Sequence, residues 1–154
     1  YSEINSICLL KDTEWKFGKQ SQLKWFKKNI KSFDIHNLFF LKNKLIGYTL
    51  LRKRLYKNKN LKKKYLLFDT LIIKKEFRKK KFSTLMMNFN NKIIKQSNHL
   101  SYLMCKKNLV NFYKKYNWRK LSKSNFEVVD HPFNTNGMIF NYKNKISKLK
   151  FYIN

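Results

Sequence analysis

The sequence has few of the residues that mark disulfide-rich, metal-binding or membrane-spanning proteins. Its 154 residues include two cysteines, three glycines and one proline. Two cysteines suggest neither a disulfide framework nor a zinc site, so we expect no metal and a reducing, cytoplasmic setting. No apolar run approaches the roughly 18 residues of a membrane-spanning helix. The first ten residues lack the basic start of a signal peptide. We therefore expect no association with a membrane.

Acidic residues are also scarce. Eight Asp and Glu stand against 36 Lys and Arg, which gives a formal net charge of +28 and is compatible with a nucleic-acid-binding module. The basic residues are 32 Lys and only 4 Arg, accompanied by 19 Asn, as A/T-rich codons would produce. A surface selected to bind phosphates and base edges would use more Arg. We therefore expect non-specific attraction of polyanions and no specific nucleic-acid partner, and we keep the nucleic-acid-binding module as an alternative.

Hydrophobic residues make up 43 % of the chain, enough for the core of one domain. The apolar pattern predicts a strand at 3–10, a helix at 20–30, a hairpin of strands at 37–41 and 45–51, an exposed mobile loop at 55–64, a strand at 65–73, a helix at 82–97, a strand at 100–105, a helix at 108–116, and strands at 118–121, 126–129 and 137–142. This order predicts an α/β (α+β) fold with a mixed central sheet of six to seven strands and helices on both faces. We expect a single domain over residues 1–142, followed by a basic tail or final strand at 143–154.

A basic turn joins the apolar strand 65–73 to the helix that starts near residue 82. The first turn of a helix has unpaired N–H groups and the positive end of the helix dipole, which together favour an anion. Arg78, Lys79, Lys80 and Lys81 surround this helix start. The turn therefore suits a pyrophosphate or another phosphate group. The alternative is a solvated basic turn in a lysine-rich protein.

Two segments together resemble the signature of the GCN5-related N-acetyltransferases. The first is Ile73-Lys-Lys-Glu-Phe-Arg78, which continues as Lys79-Lys-Lys-Phe-Ser83. The second is Phe112-Tyr-Lys-Lys-Tyr-Asn-Trp118. Lys75 replaces the usual proline of the family motif, Lys81 replaces its first glycine, and Asn117 stands where a glycine is usual. Asn tolerates the left-handed conformation that the end of a helix often needs.

The resemblance implies the acyl-CoA N-acyltransferase fold and direct transfer of an acetyl group from acetyl-CoA to a primary amine. It implies that the sheet opens between strands 65–73 and 100–105, and that Tyr113 protonates the departing thiolate. The residues expected to bind acetyl-CoA are Leu71, Ile72 and Ile73 for pantetheine, and Arg78, Lys79, Lys80, Lys81, Phe82, Ser83 and Thr84 for the pyrophosphate. A degenerate member that binds CoA weakly and does no chemistry is the first alternative, favoured by the loss of the glycine at Lys81.

An amine acceptor is protonated near neutral pH and must lose a proton before it attacks a thioester. Asp69 is the candidate base, because an acid inside the central strand is costly without a use or a partner. His36 and His131, which precedes Pro132, are alternatives, although a structural hydrogen bond suits each. Cys105 is explained as a small apolar strand residue. We expect a small-molecule or peptide amine as acceptor, and a monomer or homodimer.

Overall fold

The structure is a computed structural model that describes residues 2–131, 135–144 and 148–154. Its helices are α1 (Ser2–Asp12), α2 (Lys19–Asn29), α3 (Phe82–Gln96) and α4 (Val110–Lys114). Its strands are β1 (Ile35–Leu41), β2 (Lys44–Asn58), β3 (Leu61–Ile73), β4 (Ser101–Cys105), β5 (Arg119–Lys120), β6 (Phe126–Val128), β7 (Asn136–Phe140) and β8 (Leu149–Phe151). The strands form one mixed sheet in the order β5-β7-β4-β3-β2-β8-β6, and β1 pairs with the first half of β2.

Helices cover both faces of this sheet, as predicted. Alternating side chains of β2 point to opposite faces, so Leu50 packs with α1 and α2 while Leu51 packs with α3 and α4. Leu10 and Phe26 bury the first face, and Met87 is among the side chains that bury the second. Full burial of one such side chain contributes about 1.5–3 kcal/mol. Within the described ranges, no helix is long and apolar enough to cross a membrane.

The prediction of a strand at residues 3–10 is wrong, because these residues belong to helix α1. Ile7, Leu10 and Lys11 are buried, whereas Leu9 is 53 % exposed. Burial that recurs every three or four residues is the spacing of a helix packed on one side. The run of apolar letters at residues 7–10 concealed this spacing.

The prediction of a mobile loop at 55–64 is also wrong, because β2 and β3 continue through it as a regular hairpin. Their pairing extends from Leu55↔Lys64 to Asn58↔Leu61. β8 supports the outer part of β2 through the pair Tyr56↔Phe151, and both of these rings are buried. The C-terminal segment therefore contributes a final strand, one of the two outcomes expected for 143–154; residues 145–147 lie outside the described ranges.

The sheet opens beside β3. β3 and β4 are parallel neighbours, as predicted, but they pair only at Leu66↔Ser101 and Leu67↔Tyr102. Beyond Leu67 the main chain of β3 has no ladder partner on the β4 side within the described residues. The strands therefore separate towards their C-terminal ends, as the family resemblance implied.

A β-bulge lies at the point where the opening begins. Leu51 of β2 pairs with Phe68, and Leu50 pairs with Thr70. Asp69 is therefore an extra residue that has no paired residue on β2. Asp69 and Thr70 consequently point to the same side of the sheet, where both line one cavity. Phe68 and Leu71 both pack into the core beneath α3 and α4.

A buried ion pair ties the loop after α2 to β2. The Arg54 guanidinium donates to both carboxylate oxygens of Asp34, at 2.8 and 3.2 Å. Asp34 also accepts the main-chain amides of Lys31 and Lys53, and Arg54 donates to the carbonyl of Asn29. Charge-assisted bonds of this density offset the cost of burying both charges.

Arg54→Met should lower the free energy of unfolding by about 3–5 kcal/mol, because it leaves the Asp34 carboxylate buried without its counter-ion. Urea denaturation followed by circular dichroism measures the change. Lys57→Met is the matched control, since Lys57 is exposed on the same strand and surface changes usually stay within about 0.5 kcal/mol. Equal stability of the two variants would show that the pair contributes little.

Candidate functional site

The start of α3 presents free main-chain donors. Lys81 precedes the helix with φ 59° and ψ 0°, and no side chain caps the helix. The amides of Thr84 and Leu85 donate to the Lys81 carbonyl, at 3.0 and 3.2 Å. In the part of the chain that the structure describes, the amides of Phe82 and Ser83 have no acceptor. Two free N–H groups and the helix dipole therefore face solvent at the predicted anion site.

Lys81 occupies the position of the missing motif glycine, and its backbone is left-handed. Lys79 is left-handed as well, with φ 62°. Residues 79 and 81 thus both adopt a conformation that is unfavourable for a lysine. A non-glycine residue in this region costs roughly 1–2 kcal/mol. The turn therefore keeps the conformation that glycine favours, at a cost in stability.

Two of the predicted cofactor-binding side chains already have protein partners. The Arg78 guanidinium donates to the carbonyl of Ile73 at 3.0 Å and forms an ion pair with Glu14, in the connection between α1 and α2. The hydroxyl of Thr84 is 2.9 Å from that of Tyr116. The side chains of Lys79, Lys80 and Lys81 are exposed around the helix start.

The free edge of β3 leads into this turn. Leu71, Ile72 and Ile73 pair with β2 on one side, whereas their other edge faces the opening towards β4. The structure thus brings the two predicted groups of cofactor-binding residues into one continuous run of main chain, from the open strand edge to the helix start.

Tyr113 lies on α4 with its ring against Phe68, Phe112 and Trp118, at centroid distances of 6.5, 5.1 and 6.1 Å. The residue is 9 % exposed, and its hydroxyl has no hydrogen-bond partner among the residues the structure describes. Burial raises the pKa of this phenol well above its usual value. Tyr113 therefore stays protonated near neutral pH and can donate a proton. The expected left-handed backbone at Asn117, after the helix, is confirmed, with φ 65°.

Asp69 lines a cavity of about 490 Å³ between the sheet and helices α1 and α2. Its side chain is 23 % exposed, and its Oδ1 lies 3.7 Å from Nη1 of Arg52. Burial raises the pKa of the Asp69 carboxyl, against the opposing effect of Arg52 and Lys11. A carboxyl with a raised pKa is better matched to accepting a proton near neutral pH. Asp69 and Tyr113 thus lie on the two faces of the opened sheet.

The alternative bases do not line the cavity beside Asp69. His36 makes a 2.7 Å hydrogen bond between its Nδ1 and the hydroxyl of Tyr48, and burial lowers the pKa of the imidazole. His131 follows β6, which is separated from β3 by β8 and β2 in the sheet order; Pro132 lies outside the described residues. Cys105 is buried in the core, and burial raises the pKa of its thiol, which disfavours a nucleophilic thiolate.

Sequence reasoning missed two basic residues near Asp69. Lys11 lines the same cavity, and Arg52 is 5 % exposed behind it. The signal for Lys11 was its spacing of four residues from the buried Ile7, which is visible only once α1 is recognised as a helix. In the described ranges, no group of three or more His, Cys, Asp or Glu side chains could hold a metal ion.

No protein-family model matches the sequence, and no curated protein matches it significantly. Solved structures do match the fold. Escherichia coli ElaA is 14 % identical with a TM-score of 0.66, over 90 % of this chain and 89 % of that one. An aminoglycoside 6'-N-acetyltransferase complexed with coenzyme A is 11 % identical with a TM-score of 0.64, over 87 % and 86 %. The Bacillus subtilis N-acetyltransferase YlbP in complex with coenzyme A is 14 % identical with a TM-score of 0.61, over 91 % and 90 %.

These similarities define the class of fold. The chain has the fold of the GCN5-related N-acetyltransferases, with a mixed sheet that opens beside β3 and helices on both faces. The fold that the sequence resemblance implied is therefore confirmed. Among the described residues, seven strands follow one another across the sheet, within the predicted six to seven, and β1 pairs with β2 beside that path.

Lys81→Gly should raise the free energy of unfolding by about 1 kcal/mol, because it relieves the left-handed strain. For a chain of this size that corresponds to an increase in Tm of roughly 2–4 °C, measured by differential scanning fluorimetry. Lys80→Gly removes the same charge and side chain at a position without a positive φ. An equal increase in both variants would assign the effect to lost charge repulsion instead of backbone strain.

Proposed function

We propose that the protein is an acetyl-CoA-dependent N-acetyltransferase that transfers the acetyl group directly to a primary amine. The observation that carries this proposal is the opened edge of β3, which begins at the Asp69 bulge and leads into the uncapped start of α3. Similar structures solved with coenzyme A support it, since they show the same fold in acetyltransferases.

The residues present fit a CoA thioester. The open edge of β3 at Leu71, Ile72 and Ile73 would present main-chain groups to the amide groups of pantetheine, and the Ile73 carbonyl there already accepts from Arg78. The free amides of Phe82 and Ser83, with the exposed lysines 79–81, suit a pyrophosphate. Bound there, acetyl-CoA would supply the activated acyl group.

Asp69 would act as the general base and Tyr113 as the general acid. Asp69 would accept a proton from the ammonium of the acceptor, which frees the nitrogen lone pair for attack on the thioester carbonyl. The N–C bond forms as the C–S bond breaks, and the Tyr113 hydroxyl would give its proton to the departing sulfur. The second proton that the nitrogen loses on becoming an amide would restore the Tyr113 phenol. The carboxylate and the phenol lie on opposite faces of the opened sheet, so each can serve one side of the reacting carbonyl.

A second candidate function is binding of CoA without chemistry. Two observations favour it, the strained lysine at 81 and the engagement of Arg78 by Glu14. Both would lower affinity for the pyrophosphate without removing the main-chain donors. Titration with acetyl-CoA, followed by a turnover assay with a panel of primary amines, separates the two candidates.

Tyr113→Phe should reduce amine-dependent release of CoA about 100- to 10,000-fold, because the ring packing stays and only the proton donor is removed. A thiol reagent measures the CoA released from acetyl-CoA. CoA should raise the Tm of the variant as much as that of the wild type, since the proposed role concerns the leaving group and not binding.

The control for this experiment is Tyr102→Phe. Tyr102 is a second buried tyrosine whose hydroxyl has no hydrogen-bond partner among the described residues, and it lies in the core on the side of β8. It should keep full turnover. Full turnover in Tyr113→Phe as well would remove Tyr113 from the mechanism.

Asp69→Asn tests the general base. A base acts only when it is deprotonated, so kcat/KM should fall as the pH decreases through the pKa of Asp69, which burial raises above the ordinary carboxyl value. The asparagine variant should be slower at every pH and should lose this acidic limb. Asp130→Asn, at an exposed site after β6, should leave the profile unchanged. Persistence of the limb in Asp69→Asn would assign it to another group.

A further inference from the structure

The cavity beside Asp69 combines an apolar wall with two opposite charges. Trp15, Phe17 and Trp25 provide aromatic surface, while Lys11 and Asp69 provide an ammonium and a carboxylate. Gln22 also lines the cavity, but its amide is already used in a 2.9 Å bond to the carbonyl of Trp15. A volume of about 490 Å³ suits a compact ligand with an apolar body.

The Lys11 ammonium lies against two tryptophan rings of the cavity wall. Lys11 is 7 % exposed, and its Nζ lies 3.7 Å from the centroid of the Trp25 ring. Within residues 2–131, 135–144 and 148–154 it has neither a hydrogen-bond acceptor nor an ion pair. Burial lowers the pKa of this ammonium, which shows the cost of its desolvation. An anionic group of a ligand would supply the missing acceptors.

The charges around the cavity do not cancel. Asp34 and Arg54 form their own buried pair. Arg52 and Lys11 then face one carboxylate, that of Asp69. A ligand that is only cationic meets an excess of positive charge here, and the net charge of +28 adds to the repulsion of polycations. A ligand that carries both an amine and a carboxylate complements both charges of the cavity.

We propose that the acceptor is a free amino acid with an apolar or aromatic side chain, whose carboxylate is bound by Lys11 and whose amine is bound by Asp69. This inference rests on the proposed acetyltransferase function for the fate of the amine, and it adds the substrate class. Lys11 acts as a specificity-determining residue. The side chain of the amino acid lies against the aromatic wall.

Binding without acetyl-CoA tests the inference. Two of the three tryptophans line the cavity, so their fluorescence reports a ligand there. The probes are L-phenylalanine, L-phenylalanine amide and phenethylamine. L-Phenylalanine has an intact carboxylate, its amide has lost the negative charge, and phenethylamine has no carboxyl group at all. 3-Phenylpropionate controls for general attraction of carboxylates to this basic chain. We expect L-phenylalanine to bind about tenfold or more tightly than each of the others.

Lys11→Met retains the apolar stem of the side chain and should abolish the preference for L-phenylalanine over phenethylamine. Lys16→Met removes an exposed lysine nearby and should preserve the preference. The inference is overturned if the wild type binds L-phenylalanine and phenethylamine equally well, or if it binds no probe. It is also overturned if Lys11→Met keeps the preference. If Lys11→Met fails to fold, the series of probes on the wild type decides.

These experiments distinguish a failure of the assigned substrate class from a failure of the proposed acetyltransferase function. Selective binding of L-phenylalanine without any release of CoA would contradict the acetyltransferase proposal and leave the site intact. Acetylation of phenethylamine as fast as of L-phenylalanine would overturn the assigned substrate class and leave the acetyltransferase proposal standing.

Discussion

One extra residue in β3 determines the arrangement of the candidate site. Without the bulge at Asp69, side chains along β3 would alternate strictly, and Asp69 and Thr70 would point to opposite faces. With it, the strand turns two consecutive polar residues towards α1 and α2 and returns Leu71 to the core on the other side. The bulge coincides with the end of pairing between β3 and β4. The bulge thus places the carboxylate beside the point where the edge of β3 becomes free.

The sequence predicts the central part of this fold well. The nearly continuous apolar run at 65–73 fits a strand covered on both faces, and the period of α3 is strong enough to fix the parallel unit from β3 to β4. Asn117 could be assigned because its left-handed backbone is a local property. These features depend on residues that are close together in the chain, so their patterns can be read directly.

The rest depends on contacts between distant residues. The outer hairpin of β2 and β3 contains many lysines, and β8, from the other end of the chain, stabilises it by pairing with β2 through Phe151 and Leu149. The residue types of β3 do not indicate where its bulge lies. Lys11 became part of the site only because α1 is a helix that turns the residue inward. In each case the deciding partner lies far away in the sequence.

Residues other than glycine occupy most of the left-handed backbone positions in this glycine-poor chain. In the described part of the chain, nine residues other than glycine have a positive φ, and all are Lys, Asn or Asp. Two of the three glycines are instead found where a side chain would press against a neighbour. A Cβ at Gly47 would lie 2.8 Å from the sulfur of Met86, and one at Gly137 would lie 2.8 Å from the ring of Phe126. Glycine is thus kept mainly for steric need, and backbone strain is accepted at polar turns.

The ion pair between Arg78 and Glu14 connects the two halves of the candidate site. Arg78 belongs to the turn before α3, while Glu14 immediately precedes Trp15, which lines the cavity beside Asp69. Trp15 itself is held by other bonds, since its amide donates to the Lys11 carbonyl and its carbonyl accepts from Gln22. Exposed ion pairs are screened by salt, so this junction between the turn and the cavity weakens as the ionic strength rises.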